Sequence, residues 1–286
     1  MSKALAALID NHHLEKIDKN LFRGVTRKPA DNRVYGGQML AQAMNAAQQT
    51  VSKRFVLHSF HSYFMRPGEP ETPIIYEVDR IRDGRAFTTR RVVAIQNGEA
   101  IFNMSLSFQI FEEGFDHQAT MPDVPGPKGL PSDRERMHDF LQQQGKAEYD
   151  WPIEFRQVDP VSLTKPDKAA AYACIWFKAD GQLADDLGQH QELLAYASDD
   201  PILVTALRPH AISYMSDEVQ VASIDHALWF HRPFRVDEWL LYEVTSNSAS
   251  FGRGFSNGSI FNQAGDLVAS VAQEGLIRHR PHSPAE

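Results

Sequence analysis

A carboxylate, a hydroxyl and a carboxamide stand in this 286-residue chain where the local pattern calls for something else. Asp199 follows the helix-like run Leu193-Leu194-Ala195-Tyr196-Ala197-Ser198. Ser223 begins the strand-like run Ser223-Ile224-Asp225-His226-Ala227-Leu228-Trp229-Phe230. Gln273 interrupts the apolar stretch that starts Leu267-Val268-Ala269-Ser270-Val271-Ala272. Side chains of these types can exchange a proton or orient a small reactant by hydrogen bonding. Each also has an ordinary reading. Asp199 suits a helix C-terminus or a turn, since Asp199-Asp200-Pro201 is good turn chemistry, Ser223 suits a surface strand, and Gln273 suits a solvent-facing strand position.

Other chemistry is poorly served. Gly254-Phe255-Ser256-Asn257-Gly258 has the Gly-x-Ser-x-Gly spacing, but it falls inside an expected strand and not on the strand-to-helix turn of a nucleophile elbow, and the chain has no Walker-type phosphate loop. Gly252 and Gly254 do not complete a dinucleotide fingerprint. His58 and His61 resemble a metal pair, but an odd separation along a strand is expected to send them to opposite faces. The same is expected of His226 and His231, so neither a metal nor another cofactor is called for. Arg80, Arg82, Arg85, Arg90 and Arg91 crowd one hairpin and read as a solvated sheet edge, with an anionic ligand as the alternative.

The elements that must position these residues come in two sets. His61-Ser62-Tyr63-Phe64-Met65-Arg66-Pro67 returns as Ala227-Leu228-Trp229-Phe230-His231-Arg232-Pro233, at the 166-residue offset that separates Arg66 from Arg232. Tyr76-Glu77-Val78 returns as Tyr242-Glu243-Val244 at the same offset. Solenoid periods run only about 20–50 residues, so this is a duplicated domain, and clefts between domains are common working sites.

Within the first set, residues 3–16 read as a short amphipathic helix with Leu5, Leu8, Ile9 and His12 on one side. Residues 20–35 read as extended and polar. Gly36-Gly37 opens a helix through about Thr50, with Leu40, Ala43, Met44 and Ala47 on its apolar face. Strands are expected at 55–65, 74–81, 86–95 and 100–111, with Asp83-Gly84 and Asn97-Gly98 as hairpin turns. Four prolines and two glycines in 121–131 mark a linker, extended by a polar helix at about 132–146. Strands at 153–160 and 171–179, a helix near 190–198 restricted by Pro201, and strands at 219–230, 239–246, 252–261 and 267–277 complete the second set. One long helix on a curved antiparallel sheet is the hotdog pattern. The expected fold is therefore α+β, a double hotdog of two tandem copies whose sheets can join edge to edge. Its divisions fall at 1–120, 121–150 (linker and connecting helix) and 151–286.

Composition narrows the class. Hydrophobic residues make up 42% and charged residues 23%, the balance of a globular protein. A net charge of −8 argues against a nucleic-acid partner. A single cysteine, Cys174, forbids an intrachain disulfide and fits a reducing compartment. No apolar run approaches the roughly 18 residues of a membrane span, and the run Ala4–Ile9 is too short for a secretory signal. The expectation is a cytoplasmic protein with no integral membrane association.

Taken together, these residues resemble the acyl-CoA thioesterase II family of double-hotdog hydrolases. The resemblance rests on Leu21-Phe22-Arg23-Gly24, Val34-Tyr35-Gly36-Gly37-Gln38, His58-Ser59-Phe60-His61-Ser62-Tyr63-Phe64, Arg66-Pro67-Gly68, Tyr196-Ala197-Ser198-Asp199, Ile224-Asp225-His226, Trp229-Phe230-His231-Arg232-Pro233-Phe234 and Gln273-Glu274-Gly275. These motifs span nearly the whole chain; only about 132–160 is hard to match. The resemblance implies an acyl-CoA substrate and a catalytic Asp, Ser or Thr, and Gln, which fall on Asp199, Ser223 and Gln273. Ser223 stands where several relatives carry Thr, so the hydroxyl is kept and the rotamer-fixing methyl is lost.

That trio suits thioester hydrolysis. A thioester carbonyl is electrophilic enough for a positioned water to attack without a covalent enzyme intermediate. Asp199 would be the general base, worth about 10²–10⁴-fold, while Ser223 and Gln273 hold the water and Asp199. Oxyanion donors are expected at the helix opened by Gly36, Gly37 and Gln38, with Gly37 and Gln38 the binding candidates; tight packing of that helix is the alternative use of the glycines. Phe60, Phe64, Trp229 and Phe230 are candidates for an acyl tunnel or for core. A homo-oligomer, dimer or tetramer, is expected. Two other functions compete. A hotdog hydratase or dehydratase would carry His five residues after the helix Asp, where this chain has Val204. A non-catalytic acyl-CoA-binding module would have no need of the polar trio.

Overall fold

Ser2 accepts the Leu5 N–H at 3.2 Å and so starts α1 (Lys3–His12), the first element of a computed structural model that describes residues 1–26, 33–143 and 151–280. Leu5, Leu8 and His12 lie on its buried face as expected, joined by Ala4, while Ile9 is only half-buried. The helix stops at His12, and Glu15–Asp18 forms β1 rather than a last helical turn. β2 (Leu21–Gly24) follows. The rest of the segment expected to be extended, 27–32, lies outside the described residues.

α2 runs from Gly36 to Gln48, and Leu40, Ala43, Met44 and Ala47 on it are fully buried. The long meander is β3 (Val56–Phe64), β4 (Ile74–Asp83), β5 (Phe87–Gln96) and β6 (Glu99–Gln109). Asn97 and Gly98 both take positive φ, 53° and 79°. That is the backbone a two-residue hairpin needs, and Asn-Gly tolerates it. Residues 110–132 carry neither helix nor strand, and α3 (Asp133–Gln143) follows.

The second set is β7 (Ile153–Gln157), β8 (Tyr172–Ala179), α4 (Leu187–Ile202), β9 (Val219–Ser223), β10 (Asp225–Phe230), β11 (Leu240–Ser250), β12 (Arg253–Asn262) and β13 (Leu267–His279). Asp186 caps α4 by accepting the Gly188 N–H at 3.0 Å. Pro201 lies inside this helix, near its end, and a 3₁₀ turn at Val204–His210 follows. The helix therefore continues past Ser198, where the sequence pattern ended it.

All strands join one antiparallel sheet in the order β1-β2-β4-β5-β6-β3-β10-β13-β12-β11-β8-β7, with β9 also on β13. The repeat is visible in this order, since β2-β4-β5-β6-β3 is mirrored by β8-β11-β12-β13-β10. The halves meet where β3 pairs with β10, from Tyr63 opposite Asp225 to Ser59 opposite Trp229. That junction removes two exposed edges. α2 and α4 lie antiparallel against each other on the inner face, with Gly36 beside Asp199 at one end and Gly188 beside Gln48 at the other. The architecture is the α+β double hotdog.

Three local expectations need correction. A bulge between Leu57 and Ser59 breaks the alternation of β3. Leu57 and Phe60 are both core residues, so His58 and His61 share the outer face despite their odd spacing. They take separate partners, Ser107 Oγ for His58 and the Trp229 ring for His61. Among the described residues, no group of three or more His, Cys, Asp or Glu side chains could hold a metal. Second, Val219–Phe230 is two strands, broken at Ile224. Third, Arg90 is no part of a solvated edge. It is 1% exposed and donates to Thr50 Oγ1, the carbonyls of Thr50, Arg82 and Thr89, and the Asp83 carboxylate. Among the described residues, no helix is long and apolar enough to cross a membrane.

Candidate active site

Asp199 lies on the last turn of α4, on the face turned to the sheet, and is 7% exposed. Along β13, Val271, Gln273 and Gly275 share the buried side, so Gln273 points at α4 and is fully buried. Ser223 ends β9 opposite Gly275 and is half-buried. Strand alternation therefore overturns the solvent-facing reading of Gln273, while Asp199 lies at the C-terminal end of its helix and not in a turn.

These three converge. Gln273 Nε2 donates to Asp199 Oδ1 at 3.0 Å and to Ser223 Oγ at 2.6 Å. Ser223 Oγ donates to Asp199 Oδ1 at 3.2 Å. One carboxylate oxygen, Oδ1, thus gathers both partners. The other, Oδ2, lies against the start of α2, where a Cβ built on Gly36 would come within 2.7 Å of it. A helix N-terminus is a favourable place for a carboxylate.

His226 was not singled out as a site residue by its sequence context, yet it borders the trio. It is fully buried, with Nδ1 3.8 Å from Asp199 Oδ1 and Nε2 3.0 Å from Ser198 Oγ. Burial lowers its pKa, with Asp199 pulling the other way. Tyr242 donates its hydroxyl to the Ser198 carbonyl at 3.3 Å, and burial holds its pKa well above the usual value. A polar residue at an inward strand position was the available signal for His226; its pairing with a possible metal ligand, His231, obscured it.

At the opening of α2, Gly37 packs so closely that a Cβ would meet the Tyr196 carbonyl oxygen at 2.4 Å. The Gln38 N–H donates to the Tyr35 carbonyl at 3.1 Å, and its side chain donates to the Val25 carbonyl. The first N–H groups of a helix lack intrahelical acceptors, and here those belong to Gly36 and Gly37. Of the four aromatic candidates, Phe64 borders the site, its ring 3.0 Å from the Cβ position of Gly36. Phe60 is core, Trp229 packs on His61 outside, and Phe230 stacks on Phe234.

The first copy holds apolar residues at the matching places. The 166-residue offset sets Leu57 against Ser223 and Phe60 against His226. Phe60 pairs with Leu106 on β6, as His226 sits next to Gln273 on β13, one step along from Ala227 opposite Ala272. Leu57, Phe60 and Leu106 are all core residues.

Residues 142–276 match the family model described as acyl-CoA thioesterase, and residues 26–109 match that of the acyl-CoA thioesterase N-terminal domain. Acyl-CoA thioesterase 2 of Haemophilus influenzae is 40% identical over 283 residues, covering 97% of this chain and 99% of that protein. The chain belongs to the acyl-CoA thioesterase family. A crystal structure of an acyl-CoA thioesterase II from Mycobacterium marinum superposes with a TM-score of 0.80 at 39% identity, over 96% of this chain and 99% of that one. A hot dog protein of unknown function from Alicyclobacillus acidocaldarius shares the fold alone, with a TM-score of 0.77 at 19% identity over 96% of this chain and 98% of that one. Members of this family are thioester hydrolases.

Proposed function

We propose that the protein hydrolyses acyl-CoA to a free acid and CoA by direct attack of a water activated by Asp199. The observation that carries this reading is the convergence of Gln273 Nε2 and Ser223 Oγ on Asp199 Oδ1. Two donors on one oxygen fix the carboxylate and leave Oδ2, beside Gly36, for the water. As the base takes the proton, the water oxygen bonds to the thioester carbon and negative charge develops on the carbonyl oxygen. The N–H groups of Gly36 and Gly37, at the positive end of α2, are placed to receive it. Gln38, with its N–H on Tyr35, is the weaker donor. Collapse of the adduct breaks the C–S bond, and the proton on Asp199 leaves with the departing thiolate or to solvent. Phe64 is the nearest aromatic wall for the acyl group. The same reading takes 1–120 and 151–286 as the two hotdog copies, with chemistry in the second, and expects a homo-oligomer.

The test is thiol release from a series of saturated substrates, acetyl-CoA to stearoyl-CoA, by wild type and Asp199→Asn side by side. Release by wild type and a loss of about 10²-fold or more in the variant support the reading. Near-normal turnover by the variant removes Asp199 from the mechanism. Binding of acyl-CoA without release by wild type would favour a non-catalytic acyl-CoA-binding protein.

A further inference from the structure

We propose that His226 is a positioning residue for hydrolysis: its ring, held at Nε2 by the Ser198 hydroxyl, carries its proton on Nδ1 and uses that N–H to fix Gln273 and Asp199. The proposal rests on the reading of Asp199, Ser223 and Gln273 as the hydrolytic trio.

Three buried atoms beside that trio have no hydrogen-bond partner among the described residues: His226 Nδ1, Gln273 Oε1 and the Oγ of Ser256, which stands opposite Gln273 on β12. A partnerless polar group in the interior is costly, so the position of the imidazole proton can be argued by counting donors. With the proton on Nε2, His226 Nδ1 presents a lone pair to Asp199 Oδ1, 3.8 Å away, and leaves Gln273 Oε1 to the Ser256 hydroxyl across the strand pair. With the proton on Nδ1, the missing donor is supplied. Nε2 then accepts from Ser198 Oγ at 3.0 Å. Ser198 Oγ also lies 3.0 Å from the Ala195 carbonyl, which keeps its own helical N–H partner when the hydroxyl turns to the ring.

An N–H from His226 would also read the orientation of the Gln273 amide. It attracts Oε1 and so keeps Nε2 turned to Ser223 and Asp199. A flipped amide would bring Oε1 toward the carboxylate and remove both contacts. The charged or titratable groups facing the ring are Asp199 from α4 and Asp225 on its own strand. Tyr242 reaches the Ser198 carbonyl from β11, and β3 presents the Phe60 ring, stacked at 6.0 Å, and Ser62, whose hydroxyl donates to the His226 carbonyl at 2.8 Å. Burial is the largest influence on the ring and keeps it uncharged. Phe60 also shows what this position needs for packing alone, because it fills the repeat-related place in the first copy with no N–H to give.

The experiment uses the full-length protein with nitrogen-15-labelled histidine, together with kcat and KM across the pH range for His226→Phe, His226→Asn and Asp199→Asn. The wild-type ring is expected to show the uncharged, Nδ1-protonated form at neutral pH, and Ser198→Ala to disturb it. His226→Phe should lose about 10- to 100-fold in kcat, the range for one charge-assisted hydrogen bond, with KM within about 3-fold. His226→Asn, whose amide N–H can stand in for Nδ1–H, should recover most of that loss. An Nε2-protonated or charged ring overturns the proposal, as do unchanged kcat in the Phe variant or equal losses in Phe and Asn. If the Phe variant does not fold, the ring signals of wild type and the kinetics of the Asn variant decide. An active Asp199→Asn variant would instead overturn the trio reading, whatever form the ring takes.

Discussion

Gln273→Leu separates the catalytic use of Gln273 from its packing. The side chain is fully buried, and Leu106 fills the repeat-related position in the first copy, so leucine suits the space. The substitution removes two hydrogen bonds, at 3.0 Å to Asp199 and 2.6 Å to Ser223. A hydrogen bond to a charged group is worth about 1.5–3 kcal/mol. If that interaction is needed to hold the base in line with the water, its loss reduces kcat by about 10- to 100-fold. Stability falls as well: Asp199 loses a donor, which costs about 1.5–3 kcal/mol, and the His226 N–H loses the Gln273 Oε1 acceptor. Thiol release under saturating acyl-CoA gives kcat, and urea unfolding gives stability. Wild-type kcat would refute the role of Gln273. A large fall in stability with kcat per folded molecule unchanged would make the residue structural only.

Ser223→Ala should lose less than Gln273→Leu, about 10-fold or below in kcat, because its contact to Asp199 is the longer one at 3.2 Å; Ser223→Thr should keep most activity, and both are read by the same thiol assay. Gly36→Ala should fold and lose kcat, since the new methyl would lie 2.7 Å from Asp199 Oδ2 and 3.0 Å from the Phe64 ring; wild-type kcat would mean the carboxylate tolerates displacement. Glu192, buried and hydrogen-bonded by Asn45 Nδ2, has its pKa raised by burial from 4.5 to about 8. The folded state therefore binds more protons than the unfolded state between those values, and stability from this group, full below about pH 4.5, is lost as pH rises to about 8. Glu192→Gln should flatten that fall in urea unfolding measured across the same range, and an unchanged slope would contradict it.

The fold was legible wherever local pattern decides it. Asn97-Gly98 specifies its hairpin because both residues accept positive φ, and the Arg66–Arg232 repeat announces two copies before any strand is drawn. Non-local features were harder. The run Val219–Phe230 looks continuous, but Asp225 Oδ1 accepts the Glu274 N–H at 2.6 Å and Ile224 marks a break that pairing with β13 imposes. The bulge in β3 hid the shared face of His58 and His61 for the same reason. Arg90 looked solvated because nothing in its neighbours names Thr50, forty residues earlier, as its partner. At the site, Asp199, Ser223 and Gln273 stand out as polar residues in apolar settings. Their mutual distances, and the closeness of Gly36 and His226, depend on how α4 lies against α2 and the sheet where its two halves meet, which no single segment encodes.

The most direct measurement is a quenched single turnover with enzyme in excess over acyl-CoA in oxygen-18 water, followed by mass spectrometry of the acid and of the peptides containing Asp199 and Ser223. Direct water attack predicts one heavy oxygen in the released acid, no label in either peptide and no acylated peptide at any quench time. An acyl-peptide adduct, or heavy oxygen in the Asp199 carboxylate, would show a covalent intermediate and contradict the water-attack mechanism.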